Sequence, residues 1–270
     1  MKRLLKRILQ PIRILAWRFV LCPEAVQTIQ SKSGSLIGML GMQNTIFYKA
    51  GSIHAPELVE GDYLEFGVYN GSSLISAYHC LKNVYAAAQV KAYSRTDTDI
   101  VKIRQVWERM RFFAFDSFEG LPEVQGCDAQ GNDFATGKYA YPEARLRDNL
   151  AKQGVPLAKV VTVPGWFDKT CSAETIGKFG IKSAAIIHMD CDLYSSAKTV
   201  LDFVKPLLVD GTIIIFDDWF CFRGNPNLGE QRAFAEWKST MPGWRFIEFQ
   251  REGPWRVSFI ASKSETGSIG

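Results

Sequence analysis

The sequence has no C-x-x-C pair. Its six cysteines, Cys22, Cys80, Cys127, Cys171, Cys191 and Cys221, are scattered along 270 residues, a spacing that fits neither a zinc site nor a disulfide framework. Unpaired thiols of this kind suit a reducing, cytoplasmic compartment. Charge of one sign is scarce as well. The net charge is +4, and much of the excess sits in Lys2, Arg3, Lys6, Arg7, Arg13 and Arg18. Without that segment the chain is close to neutral, which argues against nucleic acid as the main partner. Internal repeats and low-complexity blocks are absent. The apolar stretch 1–21 is broken by Pro11, Arg13 and Arg18. It is too interrupted to span a bilayer, and no small-residue cleavage site follows it.

What the segment 1–21 does have is an amphipathic pattern. Leu4, Leu5, Ile8, Ile12, Leu15 and Phe19 share one side of a helical wheel, with most of the basic residues opposite. Such a helix suits peripheral contact with an anionic membrane surface, a partner helix, or packing on its own core or on a second copy in a homo-oligomer. Residues 1–60 read as an N-terminal helical extension. From Asp62 onward strand and helix patterns alternate, so 61–265 read as one α/β domain with a mostly parallel sheet covered on both faces. The predicted strands are 63–67, 112–116, 160–164, 184–190, 212–217, 244–249 and 255–261. The last two are separated by turn chemistry alone, Arg251-Glu252-Gly253-Pro254, and should form an antiparallel hairpin.

Asp190, Asp192, Asp217 and Asp218 stand at the ends of two apolar runs that read as buried parallel neighbours joined by one crossover helix. Parallel neighbours end on the same side of a sheet, so the four acids should converge where open α/β sheets bind ligands. Carboxylates that close repel, and a cation or a proton is needed to hold them. Asp190 and Asp192 share parity, so an extended strand would point both to one side.

After the first strand comes Glu65-Phe66-Gly67-Val68-Tyr69-Asn70-Gly71-Ser72-Ser73. Its glycines allow a tight turn and close approach of a ligand, and the serines begin a helix whose N-terminal amides face that ligand. The third glycine of the dinucleotide fingerprint is missing, which weighs against NAD. Asp116-Ser117 ends the second strand, where an acid clamps ribose hydroxyls in nucleotide-binding folds or, more plainly, caps a helix. Gly165-Trp166 follows the third, and the indole either stacks on a base or packs in the core. The stretch 118–141 is too long for a routine connection and reads as a binding loop or a surface insertion.

Together, EFGVYNGSS, FAFDSFEGLPE, VPGWFDKT, HMDCDLYSSAKTVL and GTIIIFDDW resemble the macrocin O-methyltransferase family over roughly 62–237. The resemblance implies a Rossmann-like class I methyltransferase fold and S-adenosyl-L-methionine as cofactor. It implies a divalent cation, typically magnesium, on Asp190, Asp217 and Asp218, with Asp192 as general base. Glu65, Gly67, Tyr69, Asn70, Gly71, Ser72, Asp116, Ser117, Gly165, Trp166 and Asp190 would border the cofactor, and 118–141 would be a mobile lid. The acceptor would be a sugar or glycosylated hydroxyl. Asp190-Cys191-Asp192 also reads as the D-x-D of a metal-dependent glycosyltransferase, and the basic helix as the anchor of a non-catalytic module.

Overall fold

The computed structural model describes residues 45–90, 96–130 and 134–264; the basic segment 1–21 lies outside them. The first element, helix α1 (Ile46–Glu57), precedes strand β1 (Asp62–Phe66). Helices α2 (Ser72–Ala88) and α3 (Asp97–Arg109) then lead to β2 (Phe112–Asp116). Helix α4 (Glu143–Lys152) precedes β3 (Val160–Pro164), and short α5 (Phe167–Thr170) and α6 (Ala173–Phe179) precede β4 (Ala184–Met189). One crossover helix, α7 (Tyr194–Val204), joins β4 to β5 (Leu208–Phe216). Helix α8 (Gly229–Ser239) is followed by the hairpin of β6 (Trp244–Glu252) and β7 (Arg256–Lys263).

The seven strands lie in the order β3-β2-β1-β4-β5-β7-β6. Strands β1 to β5 are parallel, and β7 runs antiparallel to both β5 and β6. The chain reverses direction of travel across the sheet between β1 and β4, which makes their carboxyl ends the switch point where ligands bind. This is the doubly wound sheet and C-terminal hairpin that the alternating pattern predicts.

Every residue of β1 and β4 is buried, as a strand covered on both faces requires. Alternation along β1 separates two environments. Leu64 and Phe66 join Phe115, Met189, Phe216 and Phe234 in one large apolar cluster, where Phe66 stacks on Phe115 at 4.7 Å. Tyr63 and Glu65 point to the opposite face, where Phe47 of α1 packs edge-on against Tyr63 and His188.

Several strand boundaries differ from the sequence expectation. Strand β5 begins at Leu208 rather than Thr212, with Gly211 at φ +88° within it. Strand β6 continues to Glu252 because Gln250, Arg251 and Glu252 still pair with Ser258, Val257 and Arg256. Strand β4 stops at Met189, and the chain turns through Asp192 at φ +61°. The shared parity of Asp190 and Asp192 therefore does not set their directions, because the backbone between them is not extended.

Candidate active site

Hydrogen bonding continues one residue beyond the parallel strands. Gly67 N–H donates to the Phe115 carbonyl, Asp190 N–H to Phe66, Asp217 N–H to Met189 and Gly165 N–H to Asp116, each at 2.9 Å. These bonds bring the ends of five strands level along one edge. Gly67, at φ +86°, sits so close to Asp190 that a β-carbon there would overlap the Asp190 carbonyl oxygen. Only glycine fits this approach.

The turn after β1 is held by the acid that ends β2. Asp116 Oδ2 accepts the N–H groups of Val68 at 2.8 Å and Tyr69 at 3.1 Å, and Oδ1 accepts Phe118 N–H at 2.7 Å. Asn70 Oδ1 accepts Ser72 N–H at 3.0 Å, and Gly71, at φ +82°, precedes α2. A carboxylate has about four lone-pair positions, so Asp116 keeps acceptor capacity beyond these bonds.

A cavity of about 620 Å³ opens over this edge. Gly67, Tyr69, Asp116, Ser117 and Trp166 line one part of it, and Asp190, Cys191, Asp192 and Asp218 another. Gly120, Leu121, Pro122 and Tyr139 of the 118–141 loop form a wall, and Ser195, Ser196 and Thr199 of α7 complete it. Five expected site residues besides Asp217 are not in the lining: Glu65, Asn70, Gly71, Ser72 and Gly165.

Glu65 is fully buried. Its Oε1 accepts Ser73 Oγ–H at 2.5 Å, and Oε2 accepts the Tyr63 hydroxyl and lies 3.6 Å from His188 Nδ1. The other imidazole nitrogen, Nε2, lies 3.1 Å from Asp217 Oδ1, which also receives Arg256 Nε–H from β7. Burial opposes charge on His188, but its bonds to Asp217 and Glu65 outweigh it and push the imidazole up to about 10. Burial likewise opposes ionisation of Asp217, yet His188 and Arg256 hold it well below the usual carboxylate range. Two acids and two cations thus neutralise one another behind the cavity.

The other acids have no such partners. Burial, then Asp217 and Asp218, push Asp190 well up. Burial and Asp218 push Asp192 up to about 8, and burial and Asp217 push Asp218 up to about 6. Asp218 accepts Asp192 N–H at 3.2 Å and the Cys221 thiol at 3.3 Å, both weak compensation. Beneath them lies Glu230, 1% exposed, whose Oε2 accepts Asp218 N–H at 3.1 Å while Oε1 has no hydrogen-bond partner among the described residues. Burial and the neighbouring aspartates push it well up too. Among the described residues no three His, Cys, Asp or Glu side chains are arranged, as they stand, to hold a metal ion. The donor chemistry nonetheless fits one: the carboxylates of Asp190, Asp192 and Asp218 line a single cavity, and none of them has an ion pair within 4 Å among the described residues.

Sequence reasoning missed Glu230 and Arg256. Arg256 leaves one trace, a charge opening the strand just before Val257; Glu230 leaves none.

Residues 33–229 match the macrocin-O-methyltransferase (TylF) family. The chain belongs to that family. Among curated relatives, 8-demethyl-8-(2,3-dimethoxy-alpha-L-rhamnosyl)-tetracenomycin-C 4'-O-methyltransferase of Streptomyces olivaceus is 31% identical over 60% of this chain and 54% of its own length. Mycinamicin III 3''-O-methyltransferase of Micromonospora griseorubida is 28% identical over 60% of this chain and 56% of its own. The chain thus spans about half the length of the curated relatives it matches. The crystal structure of CalS11, calicheamicin methyltransferase, superposes with a TM-score of 0.57 at 21% identity, over 92% of this chain and 90% of that one. This likeness gives the family member its class I methyltransferase fold. No helix among the described residues is long and apolar enough to cross a membrane.

Proposed function

We propose that this chain is an S-adenosyl-L-methionine-dependent O-methyltransferase that uses a divalent cation and acts on a hydroxyl of a sugar or glycosylated acceptor. One observation carries the reading: a single cavity joins the Gly67 turn, Asp116 and Trp166 to three uncompensated carboxylates. Membership of the family supports it, as do the names of the relatives, which act on glycosylated acceptors. The glycosyltransferase reading of Asp190-Cys191-Asp192 leaves Asp217, Asp218 and the glycine turn without a role.

Asp116 would accept the ribose hydroxyls with the lone pairs that the loop amides leave free, and Trp166 would stack on the adenine. Asp190, Asp217 and Asp218 would hold magnesium, with Asp217 oriented through its bonds to His188 and Arg256. The sulfonium cofactor supplies an electrophilic methyl group, and the cation lowers the pKa of a bound hydroxyl. Asp192 would take the proton of the acceptor hydroxyl as general base. Burial and Asp218 push its carboxyl up to about 8, close to the operating pH at which a general base is most effective. The walls from 120–122 and α7 exclude water and fix the acceptor in line with the methyl group, where positioning supplies much of the acceleration.

Calorimetric titration with S-adenosyl-L-methionine, with and without magnesium, tests the cofactor. Binding in the micromolar range, lost in Asp116→Ala, is expected; no heat from the sulfonium but heat from a UDP-sugar with manganese would overturn it. Asp192→Asn should keep cofactor binding and lower methyl transfer by about 10²- to 10⁴-fold, the range for general-base catalysis. Full activity in that variant removes the base assignment.

A further inference from the structure

We propose that Asp128 is a positioning residue that fastens the cavity wall 118–130 to the turn carrying Asp192, and so fixes both. Its catalytic part rests on the methyltransferase reading above; its structural part does not.

Helix α7 begins immediately after the Asp190–Asp192 turn, and its first N–H groups have no partners within the helix. The residue at its N-cap is Leu193, which has no side-chain acceptor to offer them. A carboxylate from a distant loop supplies the cap. Asp128 Oδ1 accepts Tyr194 N–H at 2.7 Å, and Oδ2 accepts Ser195 N–H at 3.2 Å and Ser195 Oγ–H at 2.8 Å. Asp128 is only 3% exposed. The positive end of the α7 dipole stabilises its charge there, so a buried acid in a polar loop has a specific reason to be where it is.

The residues it fastens are those that face the cavity. On one side, Asp192 sits two positions before Tyr194 at φ +61°, with Leu193 N–H bonded back to the Cys191 carbonyl at 2.6 Å. A non-glycine residue holds such a conformation only where surrounding bonds over-determine it. Asp192 N–H is tied to Asp218 from one direction, and Asp128 ties the following residues from the other. On the loop side, Leu121 N–H bonds the Lys138 carbonyl and Gly137 N–H bonds the Leu121 carbonyl, both at 2.8 Å, while Ser117 Oγ–H bonds the Gly120 carbonyl at 2.9 Å. Val124 N–H bonds Thr136 Oγ1 at 3.2 Å and Asp128 N–H bonds the Gln125 carbonyl at 3.1 Å, so the same loop carries both the wall residues and Asp128. A single carboxylate connects the wall over the cavity to the base at its floor.

Hydrogen exchange of the full chain, read on 118–130 and 191–195 in Asp128→Ala and Asp128→Asn, tests the fastening. Exchange should rise in both segments together in the alanine variant and stay unchanged in β6 and β7. Asparagine keeps an acceptor for Tyr194 N–H and should restore most of the protection. Affinity for S-adenosyl-L-methionine should fall about tenfold in the alanine variant, the effect of about one lost hydrogen-bonded constraint, and recover in asparagine. A rise confined to 118–130, a rise across the whole molecule, or unchanged affinity in a wild type that binds the cofactor would each overturn the proposal. A wild type that fails to bind it counts against the methyltransferase reading, and the exchange result then decides the fastening alone.

Discussion

The acids at the ends of β1 and β2 and those at the ends of β4 and β5 share one edge of one sheet, and their surroundings are opposite. Glu65 and Asp116 spend their oxygens on protein donors: Ser73, Tyr63 and His188 for the first, three loop N–H groups for the second. Asp190, Asp192 and Asp218 face the cavity, repel one another and are pushed toward protonation. The half at β1 and β2 is pre-organised by the chain itself, so a ligand arriving there would meet groups already in place. The acidic half has, among the described residues, no ion pairs such as those that hold Glu65 and Asp217. Asp217 marks the border, because its position in sequence belongs to the second group and its ion pairs belong to the first.

Glu65→Gln should have the largest effect on stability, because it leaves the His188 imidazolium without the fully buried one of its two acid partners. Breaking a buried ion pair by removing one partner costs about 3–5 kcal/mol. Urea unfolding of the metal-free protein measures it. A loss of less than about 1 kcal/mol, the worth of a surface ion pair, would mean that His188 is neutral and that the half at β1 and β2 is not balanced as described.

A second histidine sharpens the contrast, because it is buried and kept neutral. His54 of α1 bonds the Gly211 carbonyl through Nε2 at 2.9 Å, and its Nδ1 has no hydrogen-bond partner among the described residues. Burial lowers its pKa to about 4, the Gly211 bond opposing only in part. In the unfolded chain the imidazole takes a proton near 6.5. Between those values the unfolded state binds more protons, so stability falls as pH falls from about 6.5 toward 4. The full effect is about 3 kcal/mol. The difference in unfolding free energy between wild type and His54→Gln, followed from pH 7 to 4, isolates it; a flat difference would show that the ring is protonated in the fold.

The strands were legible because burial on both faces demands apolar runs, and runs such as Ala184–Met189 satisfy nothing else. The meeting of β4 and β5 followed from one crossover helix between them. The charge balance was not legible. It depends on Arg256 arriving from an antiparallel strand, on Glu230 entering from α8, and on the face of β1 to which Glu65 points. Register between elements tens of residues apart decides all three, and no local pattern encodes it. The turn at Asp192 was misread for a related reason: parity arguments assume an extended chain, and the bonds that bend this one come from Asp128 and Asp218.

The smallest expected effect is the one that bears most directly on the acidic half. Asp190 lines the cavity, and among the described residues its side chain makes no hydrogen bond that replacement by asparagine would lose. If the cluster is held together against its own repulsion, Asp190→Asn should make the metal-free protein more stable at pH 7, by about 1 kcal/mol or roughly 2–4 °C in Tm. The same substitution should abolish whatever further rise in Tm magnesium gives the wild type, because ligand binding to the folded state alone stabilises it by mass action. A removal of charge that stabilises the resting protein and costs it the cation identifies a group kept for its ligand rather than for the fold. Should Asp190→Asn lower Tm without metal, as Glu65→Gln is expected to, the two halves of the edge would be alike, and the acids of β4 and β5 would be structural partners of the chain after all.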